Sequence, residues 1–332
     1  MTLLSKVALS AGIGVLITGA VALGLIASDR PLPDLRGEGL DFSVLPGGGG
    51  ATPLRRYTAR DGAALGYRRW DSGAEAAPLL VAVHGSGWHG AQFEGLGATL
   101  AGAGLADVVA PDLRGHGPAP ARRGDIDYIG QFEDDLADLI AQVARPGQRV
   151  VMLGHSSGGG LVIRFAGGAH GAMLDGAVLL APYVQYDAPT ARPDSGGWAR
   201  VLTRRVIGLS MLNAVHIRTL NHLPVIQFRF PDAVLDGPMG HTATRAYSYR
   251  LNTGYAPRRD WGADIAALPP FLLVVGDHDE AFVAEAYEPT FRAHSDLGHY
   301  AMVPSGHLDV VDHPDTAALL AEFLRADAVV NP

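Results

Sequence analysis

The 332-residue chain contains no cysteine, which removes disulfide staples, thiol catalysis and cysteine-ligated metals and leaves the redox compartment undetermined. Charge is scarce as well: Asp, Glu, Lys and Arg make up 18% of the residues against 48% apolar ones, a balance that fills a large core and excludes a disordered chain. The net charge of −8 lacks the basic excess that phosphate backbones require, so a general nucleic-acid binder is excluded. No G-x-G-x-x-G stands in a strand-turn-helix context and no P-loop is present, so no nucleotide cofactor is expected. A metal is not expected either, because "GDHDE" (276–280) has no complementary second cluster at ligand spacing.

Ionisable side chains are missing altogether between Lys6 and Asp29. About 20 residues is the length a helix needs to cross the hydrocarbon core, so residues 1–30 read as a transmembrane anchor or a signal segment. The span is long for the apolar region of a signal peptide, and "GLIAS" has no clean small-x-small cleavage site, which favours the retained anchor over secretion after cleavage. Gly12, Gly14, Gly19 and Gly24 suit a membrane helix better than a buried core helix. Lys6 and the amino terminus favour a cytoplasmic start and an extracytoplasmic body, an inference that Arg30 and Arg36 weaken. Residues 31–53, with "PLPDLRGEG" and "LPGGGGATP", read as a linker, and the folded body is expected over 54–332.

Within that body, "PLLVAVHG" (78–85), "LADVVAPD" (105–112), "QRVVMLGH" (148–155), "DGAVLLAP" (175–182) and "PFLLVVGD" (270–277) are short apolar runs of the kind that strands buried on both faces show. Between them lie helical patterns. The clearest is "YIGQFEDDLADLIAQVA", where Ile129, Phe132, Leu136, Leu139, Ile140 and Val143 recur every three or four residues. Strands alternating with helices predict an α/β domain with a mostly parallel central sheet flanked by helices. Residues 183–262 interrupt the alternation, and since a structureless loop of that size is improbable, a helical cap insertion is expected. The insert holds ten arginines and five aspartates with no lysine or glutamate, +5 against −13 for the remainder. Two readings fit that charge: a solvated helical surface, or a basic face for anionic lipid or an anionic substrate.

Gly154, His155, Ser156, Ser157 and Gly158 spell G-x-S-x-G between a strand and a helix, the context in which a sharp turn exposes a strained nucleophilic serine. With it come "VHGSGWHG" after one strand, "PDLRGHG" after the next, "VGDHDEAF" after a late one and "PSGHLDV" near the end. On these five motifs in series the chain resembles the α/β-hydrolase superfamily over about residues 54–326. Within it the resemblance is to the serine hydrolases of monoacylglycerol lipase, lysophospholipase and serine aminopeptidase type.

The resemblance implies a triad in the order serine, acid, histidine: Ser156 as nucleophile, Asp279 in the G-x-x-D pattern as acid, with Asp277 open as the alternative, and His307 in "SGHLD" as base. It also implies an oxyanion hole from the backbone N–H of Ser157 and of a residue in "HGSGW", taken as Ser86 with Trp88 as the alternative. His84, His116 and His155 read as histidines that position backbone or pack beneath the site. The expected activity is cofactor-free hydrolysis of a carboxylic ester, by analogy a lipophilic one such as a monoacylglycerol or lysophospholipid, with the membrane as partner through the N-terminal helix. Peptidase, lactonase, thioesterase and perhydrolase chemistry stay open, as does a non-catalytic hydrolase-fold receptor for a hydrophobic ligand. Relatives that carry aspartate at the elbow, such as epoxide hydrolases, are disfavoured by Ser156.

Overall fold

A computed structural model describes residues 3–37, 39–44 and 52–330. The strands in chain order are β1 (Arg55–Thr58), β2 (Ala64–Trp70), β3 (Leu79–Val83), β4 (Asp107–Pro111), β5 (Val150–His155), β6 (Gly176–Leu180), β7 (Ala199–Val201), β8 (Pro224–Phe228), β9 (Ala246–Ser248), β10 (Phe271–Gly276) and β11 (Gly298–Val303). All five apolar runs became strands, namely β3, β4, β5, β6 and β10, and every residue in them is buried. Patterning did not flag β1 and β2, because their arginine-bearing sequence forms an antiparallel hairpin at the sheet edge where only part of it is covered.

Eight strands form one sheet in the order β1-β2-β4-β3-β5-β6-β10-β11. Only the β1–β2 and β2–β4 pairings are antiparallel; the rest are parallel. From β3 the chain steps outward to β4 on one side and then returns to β5 on the other. Ligands of such sheets bind in the crevice beyond the carboxyl ends of the strands at this switch point.

The helices are α1 (Leu3–Ser28), α2 (Glu94–Gly102), α3 (Gln131–Val143), α4 (Ser157–Ala166), α5 (Thr203–Ala214), α6 (Asp232–Leu235), α7 (Tyr249–Tyr255), α8 (Trp261–Ala266), α9 (Tyr287–Arg292) and α10 (Pro314–Val330). In α3 the periodic residues Phe132, Leu136, Leu139 and Ile140 are buried, as an amphipathic helix on a sheet requires. This is the α/β-hydrolase fold.

The insert differs from the helical cap expected of it. It carries a second, antiparallel sheet, β7-β8-β9, beside α5, α6 and α7. "PVIQF" in β8 alternates at the strand period, with Val225 and Gln227 buried and Ile226 half-buried between them. Strands this short leave little trace in an 80-residue stretch read for periodicity. Eight of its ten arginines serve the structure: Arg245, Arg250 and Arg258 bond to Asp34, Asp125 and Asp264, while Arg192, Arg200, Arg204, Arg205 and Arg229 donate to backbone carbonyls.

The expected membrane-crossing helix over residues 1–30 is corrected: among the described residues no helix is long and apolar enough to cross a membrane. The carboxyl end of α1 instead packs on protein, with Ala22 and Ile26 buried against Leu209 and Leu212 of α5, Val225 and Tyr249. The first half of the expected linker is docked as well. Leu32 exchanges two backbone bonds with the Gln227 amide, both at 2.8 Å, and Leu35 and Leu40 are buried. The Phe42 ring lies 5.4 Å from those of Trp198 and Phe230. Residues 45–51 lie outside the described residues.

Candidate active site

The turn after β5 explains why the sequence needs glycines around Ser156. Ser156 sits at φ 54° and ψ −122°, a region that side-chain-bearing residues adopt only under strain. A Cβ on Gly154 would stand 2.3 Å from the Gly158 carbonyl oxygen, and one on Gly158 would stand 2.2 Å from that of Val83. Neither position admits a side chain. The chain therefore folds back tightly enough to start α4 directly after Ser156 while packing against β3.

Ser156 Oγ lies 3.0 Å from His307 Nε2. His307 Nδ1 lies 2.8 Å from Asp279 Oδ2. The other carboxylate oxygen of Asp279 accepts the N–H groups of Ala281 and Phe282, each at 2.8 Å. Burial alone would raise the pKa of this carboxyl; the facing imidazole and the N–H donors outweigh it and hold it below the usual value, so Asp279 is an anion at neutral pH. Asp277 is placed elsewhere: its side chain is 42% exposed and pairs with His278. Geometry thus separates the two aspartates that the sequence left open.

The candidate oxyanion positions come together beside this row. Ser86 Oγ lies 2.6 Å from Ser157 Oγ. Ser157 opens α4, where the first N–H groups have no partner within the helix and the macrodipole presents its positive end. Ser86, Trp88, Ser156 and His307 line one cleft, with Leu308 and Trp198 beside them. The Gly87 N–H, next to Ser86, is bonded to Tyr247 Oη at 2.5 Å.

Several side chains that sequence reasoning did not single out hold these parts in place. Gln92 Oε1 accepts the Gly85 N–H at 2.9 Å, and its amide nitrogen donates to His155 Nδ1 at 2.7 Å. His155 Nε2–H then donates to the His307 carbonyl at 2.8 Å. Burial pushes His155 down to about 3, so it works as a neutral bridge between the two loops. His84, likewise pushed down by burial to about 4, accepts the Leu113 N–H through Nε2 and donates through Nδ1 to its neighbour's carbonyl. Tyr255 donates to the His84 carbonyl. Tyr247 lies 2.7 Å from His116 Nε2 while holding Gly87. The backbone-positioning role expected of His84 and the buried settings expected of His116 and His155 match this arrangement. Gln92, Tyr247 and Tyr255 carried no local signal, because each acts on a segment far away in sequence.

Comparison with known proteins agrees with this architecture. A family model described as serine aminopeptidase, S33, matches residues 74–296. The human (Homo sapiens) monoglyceride lipase is 32% identical over 155 residues, which cover 46% of this chain and 49% of that protein, so the chain spans about half the length of this relative. The monoacylglycerol lipase of Mycolicibacterium smegmatis is 25% identical over 265 residues, 78% of this chain and 91% of that one. Among solved structures, a membrane phospholipase A described as a bacterial virulence factor superposes with a TM-score of 0.58, covering 99% of this chain and 98% of its own. At 17% identity it shows a shared fold.

Proposed function

The chain belongs to the serine aminopeptidase S33 family, and with it to the esterase- and lipase-like enzymes of the α/β-hydrolase superfamily; from that premise we propose that it is a serine hydrolase that cleaves carboxylic esters through an acyl-enzyme. The observation that carries this reading is the continuous row from Ser156 Oγ through His307 to Asp279, with contacts of 3.0 and 2.8 Å, opening into one cleft.

In this mechanism Ser156 Oγ attacks the ester carbonyl while His307 Nε2 takes its proton. The Asp279 anion holds the Nδ1–H tautomer and stabilises the imidazolium that forms. The developing oxyanion is met by the backbone N–H groups of Ser86 and Ser157. His307 then protonates the departing alcohol. Water, deprotonated by His307, attacks the acyl-Ser156 ester and releases the acid. No cofactor enters these steps.

A lipophilic ester such as a monoacylglycerol or lysophospholipid is the proposed substrate class. The apolar Leu40, Trp88, Trp198 and Leu308 around the cleft support it, as do the relatives named as monoacylglycerol lipases. An aminopeptidase activity has less support, because among the described residues no carboxylate lines the cleft to hold an α-ammonium group. The enzyme is further proposed to rest on a lipid surface through α1, without that helix crossing it, because Ile13, Val15, Leu16 and Ile17 are exposed. Cleavage after α1 would strip Leu209 and Leu212 of their cover, which favours a retained helix over a secreted form.

The test is labelling by a fluorophosphonate, followed by an ester and peptide panel. Labelling lost in Ser156→Ala, with turnover of esters over peptides, supports the reading; an unlabelled wild type sinks it. Flotation of the full chain with lipid vesicles, lost when Ile13, Leu16 and Ile17 are changed to serine, tests the attachment.

A further inference from the structure

The cleft is lined in part by a segment that is not part of the catalytic domain as the sequence delimits it. Leu40, in the stretch between α1 and β1, lines the same cleft as Ser156 and His307, as does Trp198 from the insert. It is 7% exposed. Three features fasten it there. A Cβ on Gly39 would stand 2.7 Å from Trp198 Cα, so the backbone lies directly on the insert. Phe42 packs its ring against the Trp198–Phe230 pair, 5.4 Å from each. The Asp41 N–H donates to Glu280 Oε1 at 3.0 Å, while Glu280 Oε2 accepts the N–H of His307 at 2.9 Å. One carboxylate therefore ties the strap to the loop that carries the catalytic histidine, and it sits next to Asp279.

We propose that residues 39–42 form the outer wall of the substrate cleft, with Leu40 setting the length of apolar chain the enzyme accepts and Glu280 as the positioning residue that fastens this wall. Leu40 is one of four large apolar side chains that line the cleft, with Trp88, Trp198 and Leu308, so its bulk is a sizeable share of the apolar wall that a substrate chain would meet. Glu280 is the fitting fastener because its two oxygens serve two N–H groups at once. Glutamine has one acceptor oxygen and would release one of them. This inference rests on the ester-hydrolase reading above and names what limits its substrates.

The experiment uses the full chain and p-nitrophenyl esters from acetate to dodecanoate, with a parallel series of acetates of short and long alcohols. The readout is the ratio of kcat/KM between the longest and shortest members, in which any uniform loss of activity cancels. Leu40→Ala is expected to raise that ratio by about fivefold or more in at least one series, and Leu40→Trp to lower it by a similar factor, the scale on which a few carbon atoms count in an apolar pocket. Glu280→Gln is expected to move it in the same direction as Leu40→Ala, by less. Leu40→Val replaces the alanine variant if that protein does not fold. Inactivation by ethyl and dodecyl fluorophosphonates reads the same ratio without turnover. Ratios within twofold of the wild type in both Leu40 variants and in both series would overturn the proposal while leaving Ser156 labelling and ester hydrolysis intact. A wild type that no fluorophosphonate labels would overturn the reading of the site, and this proposal with it.

Discussion

Around Ser156 the strands β3, β5, β6 and β10 are buried along their whole length, and the positions of Ser156, Asp279 and the start of the Ser86 loop follow from where those strands end. The insert and the N-terminal stretch are assembled differently, from strands of three to five residues, aromatic contacts and arginines that donate to carbonyls and carboxylates. The first region is held mainly by apolar burial in parallel layers; the second depends on many specific polar bonds, each worth about 0.5–1.5 kcal/mol. The candidate triad comes from the first region, and the second adds Leu40 and Trp198 to a cleft wall that the first also builds with Trp88 and Leu308. Changes in the second region are therefore expected to alter what the cleft admits more than the chemistry.

Substitutions can break that division, and the largest effects belong to the sheet side. Asp279→Asn is expected to lower kcat by roughly 10⁴-fold with the protein still folded, because it removes the anion that sets the His307 tautomer, whereas Asp277→Asn stays within about twofold. Steady-state kinetics on one ester decide it, and an equal loss in both variants would return the assignment to an open choice. Gly158→Ala comes next. Its methyl would meet the Val83 and His84 carbonyls at 2.2 and 2.5 Å, so thermal denaturation should show a loss of about 3 kcal/mol or more together with lost activity.

Tyr247→Phe probes a place where the insert reaches the Ser86 loop. It leaves the Gly87 N–H without an acceptor and should cost about 1–3 kcal/mol of stability, with a fall in kcat that exceeds any change in KM. A KM effect alone would mean that the insert shapes binding only.

The smallest single-group effect is titration of the buried histidines. His84 and His155 are held neutral with pKa values pushed by burial to about 4 and about 3, while in the unfolded chain they bind protons below about 6.5. The unfolded state then binds more protons as pH falls, so their share of stability is intact above pH 6.5 and declines down to the folded values, by about 2 kcal/mol for each at pH 5. The lowered pKa of Asp279 adds a loss at still lower pH, as the pH falls from the ordinary carboxylate value toward the depressed one. Melting temperatures between pH 7.5 and 4.5 check the sign, and a flat profile would show that these rings are not sealed from solvent.

Much of the first region was legible in the residues because its signals are local. A two-sided apolar run reads as a strand without knowledge of its neighbours, and G-x-S-x-G carries its own steric reason, visible in the contacts that any side chain at Gly154 or Gly158 would make. Asp279 against Asp277 was harder. Both flank the same strand end, and only the direction in which the loop turns, with Asp279 facing His307 and Asp277 facing His278, separates them. The insert's sheet and the roles of Gln92, Tyr247, Tyr255 and Glu280 left no pattern to read, since each of those side chains meets a segment distant in the chain.

The amino-acid order alone therefore determined the apolar strands and the strained turn at Ser156, because periodicity and backbone sterics act over a few residues, while the serine, acid, histidine order was what the family resemblance implied. Tertiary structure decided which aspartate faces the imidazole, that α1 spends part of its apolar surface on the insert, and that Leu40 walls the cleft of Ser156. Those outcomes depend on distant segments burying surface against one another, and that free energy exists only once the whole chain has folded.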